Sequence, residues 1–312
     1  MKTKLGLLLL MLLIAVGCDD STQSEQAAEP VTADPPNIPT PEPEPEVGFG
    51  PEPEPEMSAE EQFNLGDKYR KGEGVTHDYK EATKWFRLAA EQGHVGAQHT
   101  LGCMYEGYQT VQDYKKALKW FRLAADQEHA PAQNMLGIMY EAGNGVTQDY
   151  KEAIKWFRLA ADQEHDYGQN SLGYMYQNGK GVTQDYEEAV KWYRLAAEQG
   201  HASAQNDLGN IYRDGKGVPE DYKEAVKWYR QAADQGHYNS RLWLGRSMYS
   251  SGKGVPRGYK EAYIWHSLAV ASGEKSAIAF REDSSRFLSP ARLAEAQEQV
   301  KVRLKQIEER QQ

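Results

Sequence analysis

The chain has 312 residues, with 36 Lys and Arg against 46 Asp and Glu, a formal net charge of −10, 39% hydrophobic residues and two cysteines. Two cysteines are too few for a disulfide-stapled scaffold. With no basic stripe to displace counterions from phosphates, a nucleic-acid partner is disfavoured. The acidity is local: residues 19–57 hold eleven Asp or Glu and no Lys or Arg, which leaves 34 bases against 35 acids in residues 58–312.

Lys2 and Lys4 precede an apolar run from Leu5 to Val16 that ends in Ala15-Val16-Gly17-Cys18. A basic start, a short hydrophobic stretch and small residues before a cut have the form of a secretory signal, too short to span a bilayer comfortably. Because the small residues stop at a cysteine, residues 1–17 resemble a bacterial lipoprotein signal peptide with its lipobox. The resemblance implies that Cys18 is lipidated, becomes the first residue of the mature chain, and holds it to the membrane by several acyl chains, since one chain alone gives only marginal anchoring. Asp19, directly after it, resembles the inner-membrane retention signal of enteric lipoproteins; the outer membrane is the alternative, and in either case the chain would face the periplasm. With Cys18 acylated, no intramolecular disulfide is expected at Cys103.

Residues 18–57 follow as a tether. Ten of the fourteen prolines lie in 19–57, with Pro-Glu runs at Pro41–Glu46 and Pro51–Glu56. Alternating proline blocks helix and sheet and like charges repel, so this segment reads as an extended, largely polyproline-II linker, with a reach on the order of 100 Å at ~3.1 Å per residue.

From residue 58 the sequence becomes periodic. Trp85, Trp120, Trp156, Trp192, Trp228 and Trp265 recur every 35 to 37 residues, an interval that means an array of small units rather than one core. In the third unit Ala132, Leu136, Met139 and Tyr140 form one helical stripe. Gly143 stands where a helix ends in left-handed dihedrals. A second helix opens at Asp149, with Glu152 three residues on in capping-box spacing, as at Asp78/Glu81, Asp185/Glu188 and Asp221/Glu224. Its buried face is predicted to be Ala153, Trp156, Phe157, Ala160 and Ala161. Leu-Gly recurs six times, from Leu65 to Leu244, giving six helix pairs. Two copies depart from the pattern. Gly107-Tyr108-Gln109-Thr110-Val111 is one residue short, while the sixth copy has one residue too many before Gly252 and Gly258 in place of the capping Asp. After them Ser289-Pro290 opens a last helix with a stripe of Leu293, Ala296, Val300, Leu304 and Ile307, read as a cap on the final open face.

The pattern A-x-x-x-L-G-x-x-Y, G-x-G-V, D-Y-x-x-A-x-x-W-[FY]-x-x-A-A resembles the Sel1-like repeat, a relative of the tetratricopeptide repeat. The resemblance implies an all-α solenoid of six helix-turn-helix repeats over 58–273, in a right-handed superhelix, with capping helices in 274–312. It also implies an adaptor or scaffold for other proteins, not an enzyme.

Residues that recur with the tryptophan are expected to be structural. Five histidines at repeat spacing, from His94 to His237, cannot converge on one metal, because stacked helices lie ~8–10 Å apart and zinc ligands each sit ~2 Å from the ion. The Gly-Lys-Gly segments do not continue as Walker loops. No catalytic residue, metal site or cofactor is therefore expected. Candidate partner-binding residues are those that break the repeat one place before the Leu and one after the Gly, positions three apart on the first helix: Met135, Ile138, Tyr174, Asn210, Trp243 and Arg246. The first helix lines the concave side in such superhelices, and exposed aromatics, Met and Arg are common interface anchors. The expected function is thus a lipid-anchored envelope adaptor that binds a protein or peptide in this groove. The alternatives are a structural component of a secretion or polysaccharide-export assembly and an enzyme such as a β-lactam-binding hydrolase, for which the chain lacks the cysteine framework of related disulfide-rich proteins.

Overall fold

The computed structural model describes residues 57–107 and 113–310; the signal peptide, Cys18, nearly all of the tether and the shortened turn at 108–111 lie outside them. Every element among the described residues is helical. The chain divides into two compact units at Asp113/Tyr114. The first contains α1 (Ala59–Lys71), α2 (Tyr79–Glu91) and α3 (Val95–Glu106). The second contains α4 (Tyr114–Ala125), α5 (Ala130–Ala142), α6 (Tyr150–Asp162), α7 (Asp166–Asn178), α8 (Tyr186–Glu198), α9 (Ala202–Asp214), α10 (Tyr222–Asp234), α11 (Tyr238–Trp243), α12 (Tyr259–Ala271), α13 (Ala277–Arg286) and α14 (Pro290–Arg310). Within each unit helices pack on their chain neighbours, with α14 folding back on α12, the pattern of an all-α solenoid built by stacking hairpins.

The predicted stripes are the buried ones. Ala132, Leu136, Met139 and Tyr140 on α5, and Ala153, Trp156, Phe157, Ala160 and Ala161 on α6, are all buried. The Leu-Gly glycine explains how the two helices of a pair come together. A Cβ on Gly137 would lie 2.4 Å from the Phe157 ring, and one on Gly209 2.6 Å from the Tyr229 ring. Phe86, Phe157, Tyr193, Tyr229 and His266, the rings that follow the repeat tryptophans there, thus rest on bare backbone.

Capping follows the sequence with one correction. Asp149 accepts from the backbone N–H of Lys151 and Glu152, and Asp78, Asp185 and Asp221 act likewise. The reciprocal half of the expected capping boxes is missing, because Glu81, Glu152, Glu188 and Glu224 turn to the lysine three residues on, at 2.6–2.8 Å. A full capping box does form at Ser58 and Glu61, opening α1. Gly143, Gly179 and Gly215 end their helices at φ of 63–76°. The second glycine of each turn has a different duty: a Cβ on Gly145 would stand 2.6 Å from the Tyr114 carbonyl oxygen of the preceding repeat.

The extra residue of the sixth repeat is absorbed within the helix. Leu244–Tyr249, which continues α11, is a π-turn, a device that accommodates one added residue without breaking the helix. Gly258 supplies no side-chain cap to α12. The terminal helix α14 closes the last core: Ala296 is buried among Trp265, Leu268 and Leu244, with Val300, Leu304 and Ile307 beside it. Lys260 pairs with Glu295 at 2.8 Å, and Glu261 with Arg303 at 3.2 Å.

Replacing Gly137 by Ala would gain ~1 kcal/mol of intrinsic helix propensity. The methyl must then displace the wholly buried Phe157, and overpacking of this kind costs about 1–3 kcal/mol. Urea denaturation is expected to show net destabilisation of Gly137→Ala, with recovery when Phe157→Leu is added.

Candidate functional site

Three recurrent sets of polar contacts separate structural groups from the rest. In the first, the repeat histidines are helix N-caps. Nδ1 of His94, His129, His165 and His201 accepts from the backbone N–H three residues on at 3.0–3.3 Å, and His237 does the same at 3.4 Å. This answers why the histidines repeat: a neutral ring with its free nitrogen towards the helix replaces the usual Ser or Asp. In the second set, a glutamine late in four of the pairs donates to one on the first helix, as Gln163 does to Gln133 (2.7 Å) and Gln199 to Gln169 (2.8 Å). The first-helix glutamine in turn donates to a carbonyl of the preceding repeat, Gln133 to Ala125 and Gln205 to Ala197. In the sixth repeat buried Arg241 takes this place and spans Ala233, Leu268 and Ser272. In the third, the arginine two residues after the tryptophan reaches the next repeat: Arg158 donates to the Tyr176 hydroxyl at 2.8 Å and lies 4.7 Å over the Trp192 ring. Sequence reading missed all three, although each is visible as an invariant polar residue in an otherwise apolar register.

The predicted partner-binding residues do not all share one fate. Met135 is buried, 1% exposed; this is a correction, because α5 and α7 pack closely enough to cover the position before the Leu in that repeat. Ile138 is half-buried. Tyr174 is 39% exposed, and its hydroxyl accepts from Lys180 Nζ at 3.0 Å while that ammonium also pairs with Glu141 at 2.8 Å. Burial works against the charge on Lys180, but these two hydrogen bonds outweigh it and raise its pKa. Trp243 is half-buried against the last core, with the Arg213 guanidinium 4.0 Å over its ring. Arg246 is exposed and sits 4.9 Å over Phe280 of α13. Asn210 is bonded on three sides, to the Tyr229 hydroxyl (2.8 Å), Arg213 (3.1 Å) and Asp207 (3.5 Å).

The structure thus gathers Asn210 and Trp243 through Arg213, beside a recess of about 470 Å³ lined by Arg213, Asp214, Tyr222, Trp243 and Lys253. Tyr174 and Arg246 stand one repeat to either side in the same register. What sequence reading passed over is the core ring behind this face. The residue after the repeat tryptophan is Phe86, Phe121 and Phe157 in the first three repeats, then Tyr193, Tyr229 and His266. All six are buried. Tyr193 carries a hydroxyl with no hydrogen-bond partner, and His266 bonds Ser284 through Nδ1 at 3.2 Å. Cys103 lies on α3. Its Sγ lies 3.7 Å from His99 Nε2. Cys18, the sequence's other cysteine, lies outside the described residues.

Comparison with known proteins matches this arrangement to one family. The Sel1 repeat model covers residues 62–94, 95–129, 130–165, 166–201, 202–237 and 240–274. Among solved structures, c5321, a protective antigen of uropathogenic Escherichia coli with an SLR fold, is 42% identical with a TM-score of 0.66, covering 70% of this chain and 47% of that one. A Sel1 repeat protein from Oxalobacter formigenes is 33% identical with a TM-score of 0.68, covering 73% of this chain and 66% of that one. This chain therefore spans about half of the first relative's length and just under two thirds of the second's. No curated protein matches.

Acid is expected to weaken the fold at the buried histidines. Burial holds His266 down to about 4, and burial, then the nearby charges of His201 and Arg241, does the same for His237. An imidazole in the unfolded chain protonates near ~6.5. The unfolded state therefore takes up protons first as pH falls, and stability present above 6.5 is lost between 6.5 and 4. His266→Phe restores the residue of the early repeats, and its melting temperature is expected to fall less than the wild type's over that window, by roughly 2–4 °C or more.

Proposed function

The chain belongs to the Sel1 repeat family, and from that premise we propose that it is a lipid-anchored adaptor of a bacterial envelope, binding a protein or peptide along the first helices of its later repeats. Solenoids of stacked helix pairs offer extended, preformed surfaces, and a preformed surface loses little ordering entropy on binding. One observation carries the choice of face. In a chain whose repeats are near copies, the positions flanking Leu-Gly differ in every repeat, and on α7, α9, α11 and its continuation they are Tyr174, Asn210, Trp243 and Arg246, which leave aromatic rings, an amide and an arginine partly open to solvent. Large aromatics and arginine carry most of the energy at protein interfaces. No catalytic role is proposed, since the polar groups that repeat are engaged in caps and ladders.

The anchor rests on the lipobox-like sequence ending at Cys18. Among the described residues no helix is long and apolar enough to cross a membrane, so attachment in this reading comes from the lipid alone, with the Pro-Glu tether setting the distance between membrane and solenoid. Asp19 favours the inner membrane, facing the periplasm.

In-cell crosslinking of the full chain, followed by partner identification, is expected to capture a protein whose yield falls on the order of tenfold or more in Tyr174→Ala with Trp243→Ala, while circular dichroism stays unchanged. Equal capture by the folded double variant would move the interface elsewhere. For the anchor, metabolic labelling with an alkyne palmitate is expected to mark the wild type and not Cys18→Ala, which should leave the membrane fraction. One sulfur cannot hold both a thioether and a disulfide, so a wild-type chain that stays unlabelled and shifts in mobility on reduction would overturn the lipid anchor.

A further inference from the structure

Asp207 occupies the register position of Met135 and Trp243, one place before the Leu-Gly pair of α9, and it is half-buried. Its carboxylate accepts from Asn206 Nδ2 at 3.2 Å and Asn210 Nδ2 at 3.5 Å. Among the described residues it forms no salt bridge, while Arg213, six residues on, is committed to Asp214 at 2.6 Å. A withdrawn carboxylate held only by amides is costly to keep ionised. Burial accordingly pushes Asp207 up to about 6, against the two amide hydrogen bonds that favour its charged form.

The groups around Asp207 are of one kind. From α8, Tyr193 is fully buried with an unpartnered hydroxyl; burial, and then the charge of Asp207, holds that phenol well above its ordinary value. From α10, the Tyr229 hydroxyl is already spent on Asn210. From α11, Ser240 donates to Asn206 at 2.9 Å and fixes that amide with its N–H groups towards Asp207. One repeat earlier, Asn170, in register with Asn206, has a buried side-chain oxygen with no partner. The open valences on this stretch of the face are therefore those of acceptors: the Asp207 carboxylate and, one repeat earlier, the Asn170 amide oxygen. What they lack is a donor with a positive charge.

We propose that Asp207 is the specificity anchor of the groove, and that it receives the ammonium or guanidinium of a lysine or arginine side chain from a bound peptide. The proposal rests on the groove reading above and names its partner's chemistry. The cation pairs with the Asp207 carboxylate, while Trp243, joined to Asp207 through Asn210 and Arg213, supports the apolar stem of the same peptide. Specificity follows from the cost of the empty site. A peptide with a neutral residue at that point leaves the carboxylate as unpaired as before.

The test is a selection of random nonapeptides without histidine, displayed on phage, against the folded full chain. Enriched sequences are expected to carry Lys or Arg at one fixed position. Their binding, measured by fluorescence polarisation on synthetic copies, should weaken ~30-fold or more in Asp207→Asn and when the basic residue is changed to Gln, with Asp207→Glu retaining part of it. Binding should strengthen from pH 5 to 7 as Asp207 ionises. The phenols of Tyr193 and Tyr229 and the guanidinium of Arg213 are held above that window and Asp214 below it. Enrichment with no basic position, or basic peptides that bind Asp207→Asn undiminished, overturns the proposal. If those peptides still depend on Trp243, the groove stands without its anchor; if nothing is enriched, both readings fall.

Discussion

The contact on which the rest of the molecule depends is an aromatic ring laid on a glycine. In five of the six helix pairs the ring after the repeat tryptophan packs against the glycine of Leu-Gly, so closely that a Cβ would fall 2.4 Å from Phe157 at Gly137 and 2.4 Å from His266 at Gly245. Protein interiors are packed to the density of organic crystals, so this distance sets how near the two helices approach. Alanines along the same face, Ala153 and Ala160 among them, keep that approach possible along the second helix. The polar ladders require it as well: Gln163 reaches Gln133 at 2.7 Å only because the helices that carry them are held at one spacing.

A constraint this tight leaves little freedom for variation, which makes the variation that does occur informative. The ring position keeps its size along the chain but changes its chemistry, from phenylalanine to tyrosine and then histidine. A hydroxyl at the far end of a buried ring cannot point back into the glycine contact; it emerges towards the first helices of its own and the next repeat. There Asn210 meets the Tyr229 hydroxyl at 2.8 Å, and the charge of Asp207 adds to the burial that raises the Tyr193 pKa. The polar stretch on α9 is thus coupled to the core behind it, whereas Ile138 and Met135, in front of a phenylalanine, stay apolar.

Much of this was legible in the residues. Helix pairs, glycine-terminated first helices, aspartate caps and the covering terminal helix all follow from local patterns with a period of 3.6 or 36 residues, and the stripe named on α5 and α6 is the buried one. Legibility failed wherever two local rules competed for one atom. Glu152 has the spacing of a capping box, yet Lys155 on its outer side takes the carboxylate. The histidines carry no conventional capping signal, and their role appears only when Nδ1 is seen against the helix N-terminus. Within the candidate groove the pattern located Tyr174, Asn210, Trp243 and Arg246 on the first helices but could not say that Met135 is covered, since its burial depends on a helix one repeat away.

The sequence by itself determined the repeat, the helix boundaries and which face of each helix is buried, because those depend on interactions between residues within about one period of each other. The tertiary structure decided what the non-repeated polar groups do: that Arg213 lies over Trp243, that Asn210 is spent on Tyr229, and that Asp207 is left without a cation. These are outcomes of side chains meeting across three successive helices, where distance and burial rather than spacing along the chain determine which hydrogen bond is made and which charge stays unpaired.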